Sequence, residues 1–554
     1  MSTISRNKAT VLEKLKQHQQ HIASQHMRAW FEEDATRFEN MHEVLGPILL
    51  DYSKNRVTDT SLELLLQLAQ ASDLEKWRQA MFSGEKINRS ENRAVLHTAL
   101  RQKRSAMIEV DGVNVVEQAY RALDEALDFA EALRSGKHVG YTQQRITDVV
   151  NLGVGGSDLG PKMVTEALKA FATDQLNVHF VSNVDGAHLS QTLANLRPET
   201  TFFIVASKSF TTPETLLNAK AAKKWLLEQT NWPQEATLAH FAAISTNLKA
   251  TDAFGIDSKH VFEMFDWVGG RYSVWSTIGL PVMCAIGKEA FLSFLDGARE
   301  MDEHFQNAPL RHNMPVLMGL LGIWYNNLFD AHSHAVIPYD YGLRSLTEYL
   351  QQLDMESNGK NVTQNNEPAE HATGPIIWGS QGINCQHAYF QLLHQGSRLI
   401  PSDFVVPMNT HYPLGQQHRV VVANALAQTE ALMRGKTLAE AQVELQNNGQ
   451  DVNLAAQKVF AGNQPTNTIL IQDINPHSLG MLIALYEHKV FVQGVIWRIN
   501  SFDQWGVEYG KVLAKTIEQE LAGGERMPHD ASTRGLIDYF QEHYVSAETT
   551  RTDE

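Results

Sequence analysis

Cysteine is nearly absent. Cys284 and Cys385 are the only two in 554 residues, each in an apolar or mixed segment and without C-x-x-C spacing. That excludes a disulfide framework and a thiolate zinc site. Positive charge is in deficit, with 47 Lys and Arg against 63 Asp and Glu and a formal net charge of −16. Phosphate polymers and anionic lipid repel such a chain, so neither nucleic acid nor a membrane is expected as a partner. A local basic pocket for one small anion stays compatible. The opening stretch MSTISRNKATVLEKLKQHQQ lacks the apolar core of a secretory signal. No apolar run approaches the ~20 residues of a bilayer span, and no segment is of low complexity. The expected compartment is the cytoplasm.

What is present is a globular balance. Apolar residues make up 43% and charged residues 20%, which argues against wholesale disorder. The length exceeds one ordinary core, so more than one domain is expected. The first hundred residues carry apolar positions at helical spacing, as in VLEKLKQHQQHIASQHMRAWFEED and SLELLLQLAQASDLEKWRQAMF. They read as a helical scaffold layer. From about residue 147, short apolar runs alternate with amphipathic helices. TDVVNLGV, NVHFVSN, TFFIVAS and FAAIST form one series of strands. HAVIPY, GPIIWG, FVVPMNT, NTILIQD and FVQGVIW form a second. Continuous β-branched runs of this length suit parallel strands covered on both faces, so two doubly wound α/β units are expected. The tail beyond about residue 512 reads as helical and polar.

Two loops point to a phosphate. After TFFIVAS comes SKSFTTPETLLNAKAAKKWLLEQ. Thr212 is placed as an N-cap, Pro213 fits the first helical position, and Glu214 adds a favourable first-turn charge. Ser207, Ser209, Thr211 and Thr212 surround a helix N-terminus with hydroxyls, and Lys208 adds a positive charge. Free N–H groups and hydroxyls together suit a phosphate monoester; a well-capped helix is the competing reading. The loop NLGVGGSDLGP also links a strand to a helix, and Gly153, Gly155 and Gly156 permit close backbone approach. Its order is neither a dinucleotide fingerprint nor a Walker loop. Two such loops at the carboxyl ends of one sheet would face one crevice.

A third set of residues suits acid–base chemistry. Gln352 and Glu356 are four apart in LTEYLQQLDMESNGK and share a helix face. Arg271 lies in WVGGRYSVWS, His387 in GINCQHAYFQLLHQG and Lys511 after SFDQWGVEYG. Each alone is weak evidence, since solvated, stacked or hydrogen-bonded groups of these types are common. Together they match aldose–ketose exchange. A carboxylate reaches both carbons between which the proton moves, and a cation stabilises the developing enediolate. Further acid–base groups open the ring, and a remote phosphate anchor positions the sugar.

NLGVGGSDLGP, SKSFTTPET, FDWVGGRYSVWSTIGLP, QQLDMESNGK, GINCQHAYFQLLHQG and FDQWGVEYGK resemble the phosphoglucose isomerase (glucose-6-phosphate isomerase) family, in family order and at family length. The resemblance implies reversible isomerisation of glucose 6-phosphate and fructose 6-phosphate in glycolysis and gluconeogenesis, without cofactor or metal. It makes Glu356 the base, Arg271 the stabiliser of a cis-enediolate, and His387 with Lys511 the ring-opening pair. Gly156, Ser157, Ser207, Lys208, Ser209, Phe210, Thr211, Thr212, Gln352 and Gln504 become substrate-binding positions, and Glu214 a possible orienter of His387. It implies an α/β fold of two doubly wound parallel-sheet sugar-isomerase domains, at 116–285 and 286–512. A helical N-terminal layer would occupy 1–115 and a helical C-terminal arm 513–554. It also implies a homodimer in which His387 serves the other subunit's site. Ser209, Pro213 and Tyr509 depart from the family pattern without removing a chemical group. Two rival readings stand beside it. His332 and His334, with Glu370 and His371 nearby in sequence, would suit a metal-dependent isomerase. A phosphosugar-sensing module would lack the base.

Overall fold

Runs of β-branched and aromatic residues without polar alternation fold here as buried parallel strands. The computed structural model describes residues 3–544. They form two compact units, Met1–Phe502 and Asp503–Glu554.

In the first unit, helices Thr3–Ile22, Asp59–Ala71 and Leu74–Ser83 build the N-terminal layer. This layer is not purely helical. It contributes a hairpin of β1 (His42–Leu45) and β2 (Ile48–Asp51), turned at Gly46 with φ +50°, a position where a β-carbon would be strained. A short ribbon of β3 (Glu109–Val110) and β4 (Val113–Asn114) follows.

The first large sheet contains β5 (Asp148–Leu152), β6 (Asn177–Val181), β7 (Thr201–Ala206), β8 (Phe241–Ile244) and β9 (Val261–Phe262). All are parallel, in the order β6-β5-β7-β8-β9. The second contains β10 (Ser333–Pro338), β11 (Ile376–Trp378), β12 (Ser402–Pro407) and β13 (Thr466–Ile471), parallel in the order β11-β10-β12-β13. The β1–β2 hairpin extends it antiparallel beyond β13. Every residue of β7 and β12 is buried, as strands covered on both faces require. Both sheets are doubly wound. In each, the first strand lies between the second and the third, which leaves a switch point between β5 and β7 and another between β10 and β12.

FVQGVIW is not a strand. It is the last third of the helix Pro476–Trp497, in which nearly every residue is buried. A helix buried on all sides loses the 3.6-residue period, and its apolar segments then read as strand. This helix is also long and apolar enough to cross a membrane, unlike any run expected from the sequence, but it lies wholly in the core. Glu487, His488 and Lys489 in its middle each meet a partner. Arg101 donates Nε and Nη2 to Asp302 at 2.7 Å and Nη1 to Glu487 at 2.7 Å. Trp275 Nε1 donates to the other Glu487 oxygen at 2.8 Å. Burial pushes the Glu487 carboxyl up to about 6 against the pull of Arg101. Breaking such a buried pair by removing one partner costs about 3–5 kcal/mol, so this cluster locks the N-terminal layer onto the segment carrying Arg271.

In the second unit, helices Glu508–Leu521 and Ala531–His543 are joined by the Glu520 carboxylate, which takes bonds from His529 and Arg534.

Candidate active site

The loop after β5 is built for close approach. Asn151 Nδ2 donates to the Ser157 carbonyl at 2.9 Å and folds the loop back on its strand. The loop then forms the 3₁₀ turn Gly155–Ser157, with Gly155 at φ +56°. A β-carbon on Gly156 would lie 2.1 Å from the Gly270 carbonyl oxygen, and one on Gly155 would lie 3.0 Å from Gln352 Nε2. So only glycine lets this turn touch the 3₁₀ turn Gly270–Tyr272, which carries Arg271, and the segment carrying Gln352. Gln352 Oε1 is buried with no partner, an unmet acceptor at the crevice.

The helix Leu346–Leu350 continues as a π-helix, Gln351–Glu356. Such wide turns recur at functional sites because they re-aim side chains. Gln352 and Glu356 share this segment. Arg271 is buried, while the Glu356 side chain keeps 22% exposure. Arg271 Nη1 donates to Glu356 Oε2 at 3.3 Å, Nε to Ser357 Oγ at 2.7 Å, and Nη2 to the Ser501 carbonyl at 2.7 Å. Tyr272 OH lies 2.9 Å from Ser357 Oγ, and its ring stacks on His97 at 4.6 Å. Burial pushes the Tyr272 phenol up to about 12, so it stays neutral here. Lys360 Nζ donates to the carbonyls of Glu356, Ser357 and Asn500, closing the carboxyl end of the segment. The result is a fixed guanidinium against a carboxylate that solvent, or a small ligand, can reach.

The loop after β7 adjoins the glycine loop, because β5 and β7 are neighbours in register, Leu152 opposite Val205. The carbonyls of Lys208 and Ser209 accept from Ser245, Thr246 and Asn247, which turns these acceptors away from an incoming anion. Phe210 has φ +54° and is held by packing on Phe254, a strained position of the kind that clusters in ligand loops. Ser207 Oγ lies 3.0 Å from Thr212 Oγ1, and Ser209 Oγ lies 2.5 Å from Thr211 Oγ1. Thr212 does occupy the N-cap of helix Pro213–Thr230, yet it makes no side-chain cap bond. Its hydroxyl goes to Ser207 instead, and the helix N–H groups are left uncapped by it. Lys208 Nζ is paired with Asp266 at 2.6 Å, which blunts its charge toward a ligand. Glu214 is exposed on the first turn.

The first unit therefore brings together Gly156, Ser157, Arg271, Gln352 and Glu356, with the Ser207–Thr212 loop on the adjacent strand. His387 is exposed at the end of the 3₁₀ turn Asn384–His387 beyond β11, just after Ile383 at φ +64°. Gln504 and Lys511 belong to the second unit, where Lys511 Nζ lies 3.0 Å from Glu508. His332 and His334 diverge: His334 lies 3.0 Å from buried Asp403, and exposed His332 faces Asp330 at 3.4 Å. Among the described residues no group of three or more His, Cys, Asp or Glu could hold a metal.

Sequence reasoning missed Ser357, whose hydroxyl holds the Arg271 guanidinium. Removing it takes away a bond to a charged group, worth about 1.5–3 kcal/mol. We expect Ser357→Ala to lower kcat about ten- to hundredfold with little change in affinity for a non-reacting sugar phosphate. Steady-state kinetics beside a binding titration would check this; unchanged kcat would leave Ser357 a packing residue.

Over residues 51–537 the sequence matches the family described as phosphoglucose isomerase. It is 57% identical to glucose-6-phosphate isomerase 2 of Chromobacterium violaceum, over 97% of this chain and 98% of that protein. It is 54% identical to glucose-6-phosphate isomerase of Chlorobium phaeobacteroides, over 96% and 97%. The fold resembles the crystal structure of a glucose-6-phosphate isomerase from Chlamydia trachomatis, with TM-score 0.84 and 30% identity over 96% of this chain and 99% of that one.

Proposed function

The chain belongs to the phosphoglucose isomerase family, and from that premise we propose that it isomerises glucose 6-phosphate and fructose 6-phosphate reversibly, in glycolysis and gluconeogenesis. The observation that carries this reading is the Arg271–Glu356 pair at 3.3 Å, beside the glycine loop and Gln352. The Ser207–Thr212 hydroxyls and the start of the Pro213–Thr230 helix hold the phosphate, while Gly156, Ser157, Gln352 and Gln504 position the open chain. His387, with Glu214 as its orienter, and Lys511 move protons between ring and carbonyl oxygens to open the sugar. Glu356 takes the C2 proton and returns it at C1. Arg271 faces the enediolate oxygen and supplies the positive charge that a metal supplies in other isomerisations. We propose a cytoplasmic homodimer in which His387 completes the partner subunit's site, and sugar-isomerase domains at 116–285 and 286–512 between the N-terminal layer and the C-terminal arm.

A coupled assay with glucose 6-phosphate in excess EDTA tests the reading. Turnover is expected at the same rate as without chelator. Activity lost on chelation and restored by a divalent ion would put a metal in the mechanism.

The phosphate assignment has its own test. Ser209→Ala and Thr212→Ala each delete a donor to a dianion, worth about 1.5–3 kcal/mol, and should raise KM and weaken inhibition by sugar phosphates. Because Thr212 makes no cap bond, its variant should melt close to wild type rather than lose the ~1 kcal/mol of a true N-cap. Unchanged KM and inhibition in both variants would place the phosphate elsewhere.

A further inference from the structure

The second sheet has a switch point of its own, between β10 and β12, which the chemistry above leaves unused. A cavity of about 860 Å³ opens there, within the usual size of small-molecule sites. One wall consists of loops beyond the carboxyl ends of the strands, with Asp340 after β10 and His411 after β12. His418, from the first turn of helix Gln417–Arg434, lines it as well. The facing wall is the helix Leu159–Ala167 and the turn after it, with Lys162, Thr165 and Lys169.

This is the plan of the active site with the two halves exchanged. There, loops at the switch point of the first sheet face the helical segment that follows β10 and carries Gln352 and Glu356. Here, loops at the switch point of the second sheet face the helix that follows β5. Glu166 lies as far beyond the end of β5 as Gln352 lies beyond the end of β10. By the same count Ala170 stands where Glu356 would. The helices after β7 and β12 are both 18 residues long, and neither has a side-chain bond at its N-cap. The second crevice thus keeps the binding plan and lacks the base.

The lining has unmet polar capacity. Thr165 is only 9% exposed, and its hydroxyl is buried with no partner. His411 Nε2 lies 2.9 Å from the Ile474 carbonyl and His418 Nε2 lies 3.0 Å from the Met408 carbonyl. A carbonyl only accepts, so both histidines carry the proton on Nε2, and Nδ1 of each, when neutral, is an acceptor. The charges favour an anion. Lys162, Lys169 and Arg344 stand against Glu166 and Asp340 in the lining; Arg344 pairs with Glu166 at 2.9 Å, and burial raises the Asp340 carboxyl above its ordinary value. Lys162 pairs only loosely, at 3.7 Å, with exposed Glu348, and Lys169 is exposed at the rim. An anion-seeking helix start beside hydroxyl acceptors describes a site for a phosphorylated polyol. We propose that this cavity is a second, non-catalytic site for a hexose or hexitol phosphate.

Equilibrium dialysis of the full chain against glucitol 6-phosphate, which has no carbonyl to isomerise, tests it. Two equivalents per chain are expected. Thr165→Val and Lys169→Glu should each weaken one equivalent about tenfold or more, as loss of a bond or a charge at an anion implies, and leave kcat and KM for glucose 6-phosphate unchanged. Ser209→Ala should weaken the other equivalent. Lys169 is exposed, so its substitution leaves the fold intact even if Thr165→Val does not. A single equivalent in the wild type would overturn the proposal, and so would a second equivalent indifferent to Lys169→Glu.

Discussion

Glu356→Gln should keep the fold and sugar-phosphate binding while kcat falls by about 10²–10⁴, the usual contribution of a general base. The change is nearly isosteric, and the amide oxygen can still accept from Arg271 Nη1, which lies 3.3 Å from the present carboxylate. The guanidinium is also anchored by Ser357 Oγ and the Ser501 carbonyl, so it should not move. The phosphate loop is on another strand and is untouched. What disappears is the carboxylate charge that faces Arg271, and with it the uptake of a proton. Steady-state kinetics, a binding titration with glucitol 6-phosphate and a melting curve would separate these effects. A variant with near-native kcat would exclude Glu356 as the base.

Mixing two dead enzymes should restore about a quarter of wild-type activity. Glu356 is expected to work in its own chain, where Arg271 meets it. His387 is expected to work in the partner. In a mixed dimer of Glu356→Gln and His387→Ala subunits, one site then collects both lesions and the other collects none. Random exchange of equal amounts of a two-fold dimer gives about half mixed dimers, each with one intact site, hence about a quarter of full activity. If His387 serves its own chain, every site in the mixture carries a lesion and activity stays at the parental level. Native mass spectrometry with one tagged subunit would establish that mixed dimers formed. Mixed dimers without recovered activity would refute the shared site.

Much of the fold is legible in the sequence because its strands are extreme. TFFIVA and DFVVP admit no polar face, and only buried parallel strands want such runs. The same logic misreads FVQGVIW, since a helix enclosed on every side looks no different over seven residues. The glycine loop and the SKSFTT turn are legible because conformation and chemistry coincide there. Thr212 shows where this ends. Its place at the N-cap is readable, but that its hydroxyl serves Ser207 rather than the helix shows only in the folded loop, where the two hydroxyl oxygens lie 3.0 Å apart. Ser357 was unreadable for a different reason. Its role exists only once the chain brings Arg271, 86 residues earlier, to within 2.7 Å.

The central claim is that the hydrogen moves as a proton carried by Glu356. It is tested most directly by incubating glucose 6-phosphate with the enzyme and EDTA in D₂O over many turnovers and reading the sugars by NMR. A carboxyl proton exchanges with solvent during some turnovers, so deuterium should accumulate at C1 of fructose 6-phosphate and C2 of glucose 6-phosphate, and Glu356→Gln should abolish both isomerisation and labelling. Isomerised sugar that stays free of deuterium after many turnovers would mean a hydride shift, and would contradict the account.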